Sequence, residues 1–211
     1  MKLYNWQPAP NCRRVRMFML EKGLELPIIE EVGDKVRLSE SYIKMWPHAL
    51  VPMLETDDGV RIGEAMAICR FIEDEHPQPN LMGANGLEKA VIEMWERRAY
   101  DEGMIGSAEV VRNSHPAFAN RGLPGTSEPV PQIPALIERG KGRVRRFYRR
   151  FEDQLRDKQF VAGDRFTAAD ITTLCSIDFA KFIGLEVPDD CRGVARWYRE
   201  VSSRPAARAS L

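Results

Sequence analysis

The most constraining feature of this 211-residue chain is a change of hydrophobic period across residues 76–83, His-Pro-Gln-Pro-Asn-Leu-Met-Gly. Before that segment, short stretches switch between strand-like and helix-like patterning. After it, every strong apolar pattern repeats at helical spacing. A period shift inside a proline-containing link marks a domain boundary, and a chain of this length with 44% hydrophobic residues can fill two cores. The expected domains are 1–78 and 86–211, an α+β unit followed by an all-α bundle.

Residues 2–6 alternate in polarity and lead through Pro8, Ala9, Pro10 and Asn11 into a helix whose apolar positions are Val15, Phe18 and Met19, ended by Gly23. Residues 26–32 read as a second strand and 39–46 as a short helix stopped by Pro47. Residues 51–56 and 60–62 flank Asp57, Asp58 and Gly59, the turn chemistry of a hairpin, so these strands are expected to be antiparallel neighbours. Ala65, Ile68, Cys69 and Ile72 then form one helical stripe that ends before Pro77. The order is βαβαββα.

In the second half Leu87, Ala90, Val91, Met94 and Trp95 open a long helix, and Val144, Phe147, Tyr148, Phe151 and Leu155 define another. Between them, residues 114–134 carry Pro116, Pro124, Pro129, Pro131 and Pro134, which excludes regular helix. Thr167 and Asp170 stand at capping-box spacing, with Phe166 and Ile171 placed for a hydrophobic staple. Val194, Trp197, Tyr198 and Val201 give a last stripe.

Thirty-one basic residues balance thirty-one acidic ones, so no global field selects nucleic acid or an anionic membrane. The local cluster Arg139, Lys141, Arg143, Arg145, Arg146, Arg149 and Arg150 reads as a solvated or ion-paired helix face. His48, His76 and His115 do not share ligand spacing, and Cys12, Cys69, Cys175 and Cys191 are scattered, so neither a metal centre nor a disulfide is expected. No run of eighteen apolar residues occurs, no signal peptide opens the sequence, and neither a nucleophile elbow nor a phosphate-cradling loop is present. A cytoplasmic chain without a membrane segment follows.

Four local motifs, in order and spacing, carry a resemblance. They are residues 9–16 (Ala-Pro-Asn-Cys-Arg-Arg-Val-Arg), 46–52 (Trp-Pro-His-Ala-Leu-Val-Pro), 63–69 (Gly-Glu-Ala-Met-Ala-Ile-Cys) and 166–171 (Phe-Thr-Ala-Ala-Asp-Ile). Across essentially its full length the chain resembles the cytosolic glutathione S-transferase family, in its bacterial form. That resemblance implies a thioredoxin-like first domain, an all-helical second domain, glutathione as co-substrate, a small electrophile as acceptor and a homodimer. It further implies a cis bond at Val51-Pro52, the Val51 backbone paired with the cysteinyl part of glutathione, and Glu64 and Ala65 at its γ-glutamyl end. His48 and Lys44 would serve the glycyl end. Trp6, Ala9, Arg97, Tyr100, Asp101 and Met104 would line the acceptor pocket, expected between the domains.

The first turn of a helix at Glu64-Ala65 suits a carboxylate on physical grounds alone, since its amides are unpaired and its dipole is positive there. Glu64 then either holds a ligand ammonium group or merely complements the dipole.

The sequence departs from the family at three polar positions. Ala9 stands where a Ser or Cys usually meets the glutathione sulfur, Leu50 replaces a Gln or Lys, and Ala65 replaces a Ser. Cys12 and Asn11 are the candidates to act on the sulfur instead. Cys12 reads equally as a thiolate at a helix start beside two arginines or as packing; Asn11 reads first as the helix cap, with its amide as a donor to the sulfur the second reading. The leading expectation is transfer of glutathione thiolate to an electrophile. A non-catalytic interaction or regulatory protein and a Cys12-dependent thiol transferase stand as alternatives.

Overall fold

The computed structural model describes every residue except Leu26, Pro27 and Ser127. The chain divides into two compact units, residues 1–79 with 123–129 and 209–211, and residues 80–122 with 130–208.

The first unit runs β1 (Lys2–Asn5), α1 (Pro10–Glu21), β2 (Ile28–Glu31), α2 (Asp34–Arg37), α3 (Glu40–Met45), β3 (Met53–Glu55), β4 (Arg61–Gly63) and α4 (Ala65–Glu75). Its sheet has the order β2-β1-β3-β4. β1 and β2 are parallel, as a helical crossover requires, and β3 runs antiparallel to both its neighbours. This is the mixed four-stranded sheet of a thioredoxin-like unit. Leu3, Val15, Phe18, Met53, Leu54, Ile68 and Ile72 are fully buried and form its core.

The structure adds detail to two local expectations. The second strand spans Ile28–Glu31, and Leu26 and Pro27 lie outside the described residues. The expected helix over 39–46 is α3, capped by the Ser39 hydroxyl, which accepts the Tyr42 N–H at 3.3 Å. A separate turn, α2, precedes it, too short for periodicity to reveal. On α1, Arg13, Arg14 and Arg16 are all buried, which an apolar-stripe reading could not foresee.

The second unit contains α5 (Gly86–Arg98), a π-helical turn (Ala99–Met104), α6 (Ile105–Ser114), a 3₁₀ turn (Pro116–Phe118), α7 (Ala135–Leu155), α8 (Ala168–Phe182) and α9 (Arg192–Ser202), and the chain continues into α10 (Pro205–Ala209). Within the π turn Gly103 lies against α8, where a Cβ would stand 2.8 Å from Ser176 Cβ. The Ser176 hydroxyl donates to the Ala99 carbonyl at 3.1 Å. α8 is buried along most of its length, polar Asp170, Thr172, Thr173 and Ser176 included, with Phe147 and Phe151 of α7 and Trp197 of α9 in the same core.

The capping box opens α8. Asp170, wholly buried, accepts the N–H of Val161 (2.9 Å) and of Thr167 (2.9 Å), the Thr167 hydroxyl (3.2 Å) and Trp197 Nε1–H (2.8 Å). Phe166 and Ile171 are both buried beside it in sequence. In the proline-rich stretch, the pairs Gly122 N–H to Val130 O and Val130 N–H to Asn120 O, each 2.9 Å, close the second unit's part of the loop. No helix among the described residues is long and apolar enough to cross a membrane.

Candidate functional site

The sheet register decides what faces what. Met53 of β3 lies opposite Gly63 of β4, so Val51 and Pro52, just before β3, run alongside Glu64 and Ala65, just after β4. The Val51-Pro52 bond is cis, as is Gln78-Pro79. α4 begins at Ala65 with no side-chain cap. Its ladder starts only when Ile68 N–H reaches the Glu64 carbonyl at 3.0 Å, leaving the amides of the first turn to other partners.

Glu64 itself sits at φ 61°, a left-handed conformation that costs a non-glycine residue about 1–3 kcal/mol and persists where its surroundings impose it. A Cβ on Gly63 would stand 2.6 Å from Trp46 Cζ2, so only glycine lets the indole lie against the end of β4. Glu64 is exposed, and its carboxylate has no hydrogen bond or ion pair among the described residues. An uncapped helix start, a free carboxylate and an adjacent extended backbone edge together match an amino-acid headgroup bearing one acid and one ammonium.

The segment between α3 and β3 is held by two side chains that the sequence reading did not single out. Arg37 Nη1 donates to the Ala49 carbonyl at 2.6 Å, and the Tyr42 hydroxyl donates to the Leu50 carbonyl at 3.2 Å. Burial pushes the Tyr42 phenol up to about 12, so it stays a donor at neutral pH. Lys44 and His48 are exposed near this segment, with the His48 ring edge-on to Trp46 at 4.8 Å. The Leu50 side chain is half-buried, and a Cβ on Gly125 would lie 3.4 Å from its Cδ1.

At the β1–α1 turn, Ala9 is the N-cap of α1 and no side chain closes the helix start. Asn11 is therefore not the cap. It lies in the first turn, and its Oδ1 accepts from Arg14 Nη1 at 2.9 Å, which orients the carboxamide. Cys12 resolves toward packing. It is completely buried, its sulfur accepts the Trp6 N–H at 3.4 Å, and burial pushes the thiol up to about 12. A protonated, inaccessible thiol is no nucleophile. All four cysteines are buried thiols.

Trp6 is half-buried in the first unit. The other pocket candidates belong to the second unit and lie on or beside the π turn. Arg97 pairs with Asp101 at 2.8 Å and stacks over Tyr100 at 5.9 Å. Met104 is only 2% exposed, so it is a core residue and not a pocket lining. The basic row of α7 is largely ion-paired: Arg139 and Arg143 with Glu109, Arg149 with Asp190, Arg150 with Glu102. No cluster of metal-ligating side chains occurs among the described residues.

Comparison with known proteins agrees with this geometry. Residues 3–80 match the model of the glutathione S-transferase N-terminal domain, and residues 121–205 that of the C-terminal domain. Glutathione S-transferase 2 of Saccharomyces cerevisiae is 30% identical over the whole of this chain and 89% of its own length. Among solved structures, a glutathione S-transferase domain-containing protein of Marinobacter aquaeolei VT8 is 30% identical with a TM-score of 0.88, covering 98% of this chain and all of that one. The Gtt2 structure of Saccharomyces cerevisiae also reaches 0.88, at 28% identity and full coverage of both chains.

Proposed function

The chain belongs to the glutathione S-transferase family, and from that premise we propose that it binds glutathione along Val51 and the first turn of α4 and transfers the thiolate to a small electrophile. The observation that carries this reading is the juxtaposition of an uncapped α4, an unpaired Glu64 and the Val51-Pro52 edge, fixed by the Met53–Gly63 register. The γ-glutamyl carboxylate takes the amides at Ala65 and Met66, and Glu64 takes its ammonium group. Ala65 needs no hydroxyl for the backbone part of this contact. The cysteinyl amide pairs with the Val51 backbone as a short added strand. Lys44 and His48 supply positive charge or donors for the glycyl carboxylate.

The sulfur then lies at the α1 entry. Ala9 offers no hydroxyl there, and the unclosed helix start provides the alternative: unpaired amides and the positive end of the α1 dipole, with the Asn11 carboxamide nitrogen as a side-chain donor. An ordinary thiol is only a few per cent ionised at neutral pH, and each unit of pKa depression raises the thiolate fraction about tenfold. Catalysis needs nothing covalent from the protein, only deprotonation and positioning.

Arg97, Tyr100 and Asp101 are the acceptor-side candidates on the second unit. π turns inside α-helices recur at functional sites, and theirs presents an aromatic ring between two paired charges. We place the protein in the cytoplasm and read it as a homodimer; the exposed Leu87 and Met94 of α5, 78% and 46% accessible and seven residues apart on one helix face, support the second part of that reading.

Calorimetric titration with glutathione, followed by turnover of a panel of aryl halides, epoxides and enals, tests the assignment. Binding together with turnover of at least one electrophile is expected. A well-folded protein that neither binds glutathione nor consumes any electrophile rejects it in favour of a non-catalytic role.

A further inference from the structure

The turn from Asn5 to Ala9, where the transferase reading seats the sulfur, has few internal locks. Ala9 N–H reaches the Trp6 carbonyl at 2.9 Å, and the turn's other hydrogen bonds described below come from outside it. Gln7 N–H goes to Glu31 Oε2 at 3.2 Å, and Asn5 Nδ2 donates to the other oxygen of the same carboxylate. The largest outside contact is one side chain of α1. Arg16, whose side chain tilts back toward the helix start as helical side chains do, donates from Nη1 to Asn5 Oδ1 at 2.5 Å. Its Nη2 donates to the Gln7 carbonyl at 3.1 Å.

The same guanidinium holds a second segment. Nε and Nη2 both donate to the Ser210 carbonyl, at 3.2 and 2.8 Å, and Arg13 Nε donates to the Ser210 hydroxyl at 3.3 Å. Ser210 and Asn5 are wholly buried and Arg16 is 2% exposed. Burying a guanidinium carries a large desolvation cost even when its hydrogen bonds are made, and apolar residues of similar volume often serve stability as well or better. A buried arginine whose fork joins the start of a turn, at Asn5, to its middle, at Gln7, is therefore better explained by what it positions.

We propose that Arg16 is the positioning residue for the sulfur end of the site: its fork sets the Asn5–Ala9 turn, and its charge favours a thiolate held there. The proposal rests on the transferase reading. The thiol proton leaves to solvent, and Arg16 neither gives nor takes one. At Cys12 burial dominates and raises the thiol, while the Trp6 N–H and then the Arg16 charge lower it and the Glu31 carboxylate, bonded to the same turn, opposes them, so the Arg16 field does reach the α1 entry. Ser210 completes the device by gripping the far side of the fork.

The test is a pH titration of the thiolate ultraviolet absorbance of glutathione bound to the full chain, together with kcat and KM for glutathione. It compares wild type, Arg16→Met and Arg16→Lys, each checked for a cooperative urea transition. Arg16→Met is expected to raise the bound thiol pKa by about one unit and lower kcat at neutral pH about tenfold. KM for glutathione should stay within about threefold, and the kcat deficit should close as the pH rises. Arg16→Lys, which keeps the charge and loses the fork, should recover part of the thiol pKa.

A folded Arg16→Met with wild-type thiol pKa and kcat overturns the proposal, as does a loss confined to KM. If Arg16→Met does not fold, Arg16→Lys decides: wild-type values throughout overturn the proposal, and a raised thiol pKa at unchanged KM supports it. A wild type that binds no glutathione overturns the transferase reading and this proposal together, and that failure is distinguishable because it precedes any substitution.

Discussion

Two acids open two helices in this protein, and they are treated in opposite ways. Asp170 at the start of α8 is completely buried and accepts four donors, so the capping box closes that helix start from within. Glu64 at the start of α4 is exposed, stands in a left-handed conformation, and leaves the first-turn amides uncapped. α1 is left open in the same way by Ala9. A closed helix start is a stability device, whereas an open one next to a strained acid keeps donors available for a ligand at a cost in stability.

The sharpest way to break this contrast is to open α8. Asp170→Ala strands the N–H groups of Val161 and Thr167 and Trp197 Nε1–H in a dry core, each worth about 1–3 kcal/mol when left unpaired. Because some of these groups relax together, the expected total loss is about 4 kcal/mol in urea unfolding of the full chain. A loss below about 1 kcal/mol would show that the box is ornamental and that α8 and α4 do not differ in kind.

Protonation probes the same carboxyl more gently. Burial, which outweighs the four hydrogen bonds, pushes Asp170 from 3.8 up to about 6. The folded pKa is thus above the unfolded one, so between those values the native state binds more protons, and this group's contribution to stability rises as pH falls from above 6 toward 4. Relative to Asp170→Asn, which cannot titrate, wild type should gain about 3 kcal/mol between roughly pH 7 and pH 4. A flat difference across that window would mean that the four donors, not the dry surroundings, set the ionisation.

The same contrast explains what could be read from the sequence. The capping box is local, four consecutive residues with a fixed spacing, and Thr167 and Asp170 announced it. The βαβαββα order and the helical second half were also readable, because apolar period is a one-dimensional signal. The site was legible only as positions. Glu64, Val51 and Ala65 come together through the Met53–Gly63 register, and what shapes them is long-range: Trp46 against Gly63, Arg37 on the Ala49 carbonyl, Tyr42 on the Leu50 carbonyl. Cys12 was ambiguous for the same reason, since reactivity at a helix start depends on burial that no spacing encodes. Asn11 misled because Pro8, Ala9 and Pro10 left the cap position one of several adjacent residues, and it fell on Ala9.

A smaller effect, of opposite sign for stability and for binding, is expected at α4. Glu64→Gly relieves the left-handed backbone at the expense of a more flexible unfolded chain, for a net gain of about 1 kcal/mol by thermal unfolding. The same change removes the carboxylate proposed for the ligand ammonium, so glutathione affinity by calorimetry should fall about tenfold. If stability rises and affinity is untouched, Glu64 only complements the helix dipole, and the openness of α4 serves something other than the γ-glutamyl group.

The smallest change asks what an added hydroxyl does at α1. In Ala9→Ser the new oxygen can accept the Asn11 or Cys12 N–H, closing the helix as a serine N-cap normally does, or it can donate to the glutathione sulfur, and a single hydroxyl oriented for one is poorly placed for the other. Because no side chain now caps α1 and its amides are the proposed partners of the thiolate, the capped outcome is expected. Stability should rise by about 0.5 kcal/mol, while the bound thiol pKa climbs and kcat at neutral pH falls about twofold. The reverse result, unchanged stability with a lower thiol pKa and a higher kcat, would show that the sulfur sits within reach of residue 9 and prefers a hydroxyl to the open helix end. In that case the advantage of leaving α1 uncapped would lie in packing around Ala9 and not in thiolate stabilisation, and the parallel between α1 and α4 would fail at α1 alone.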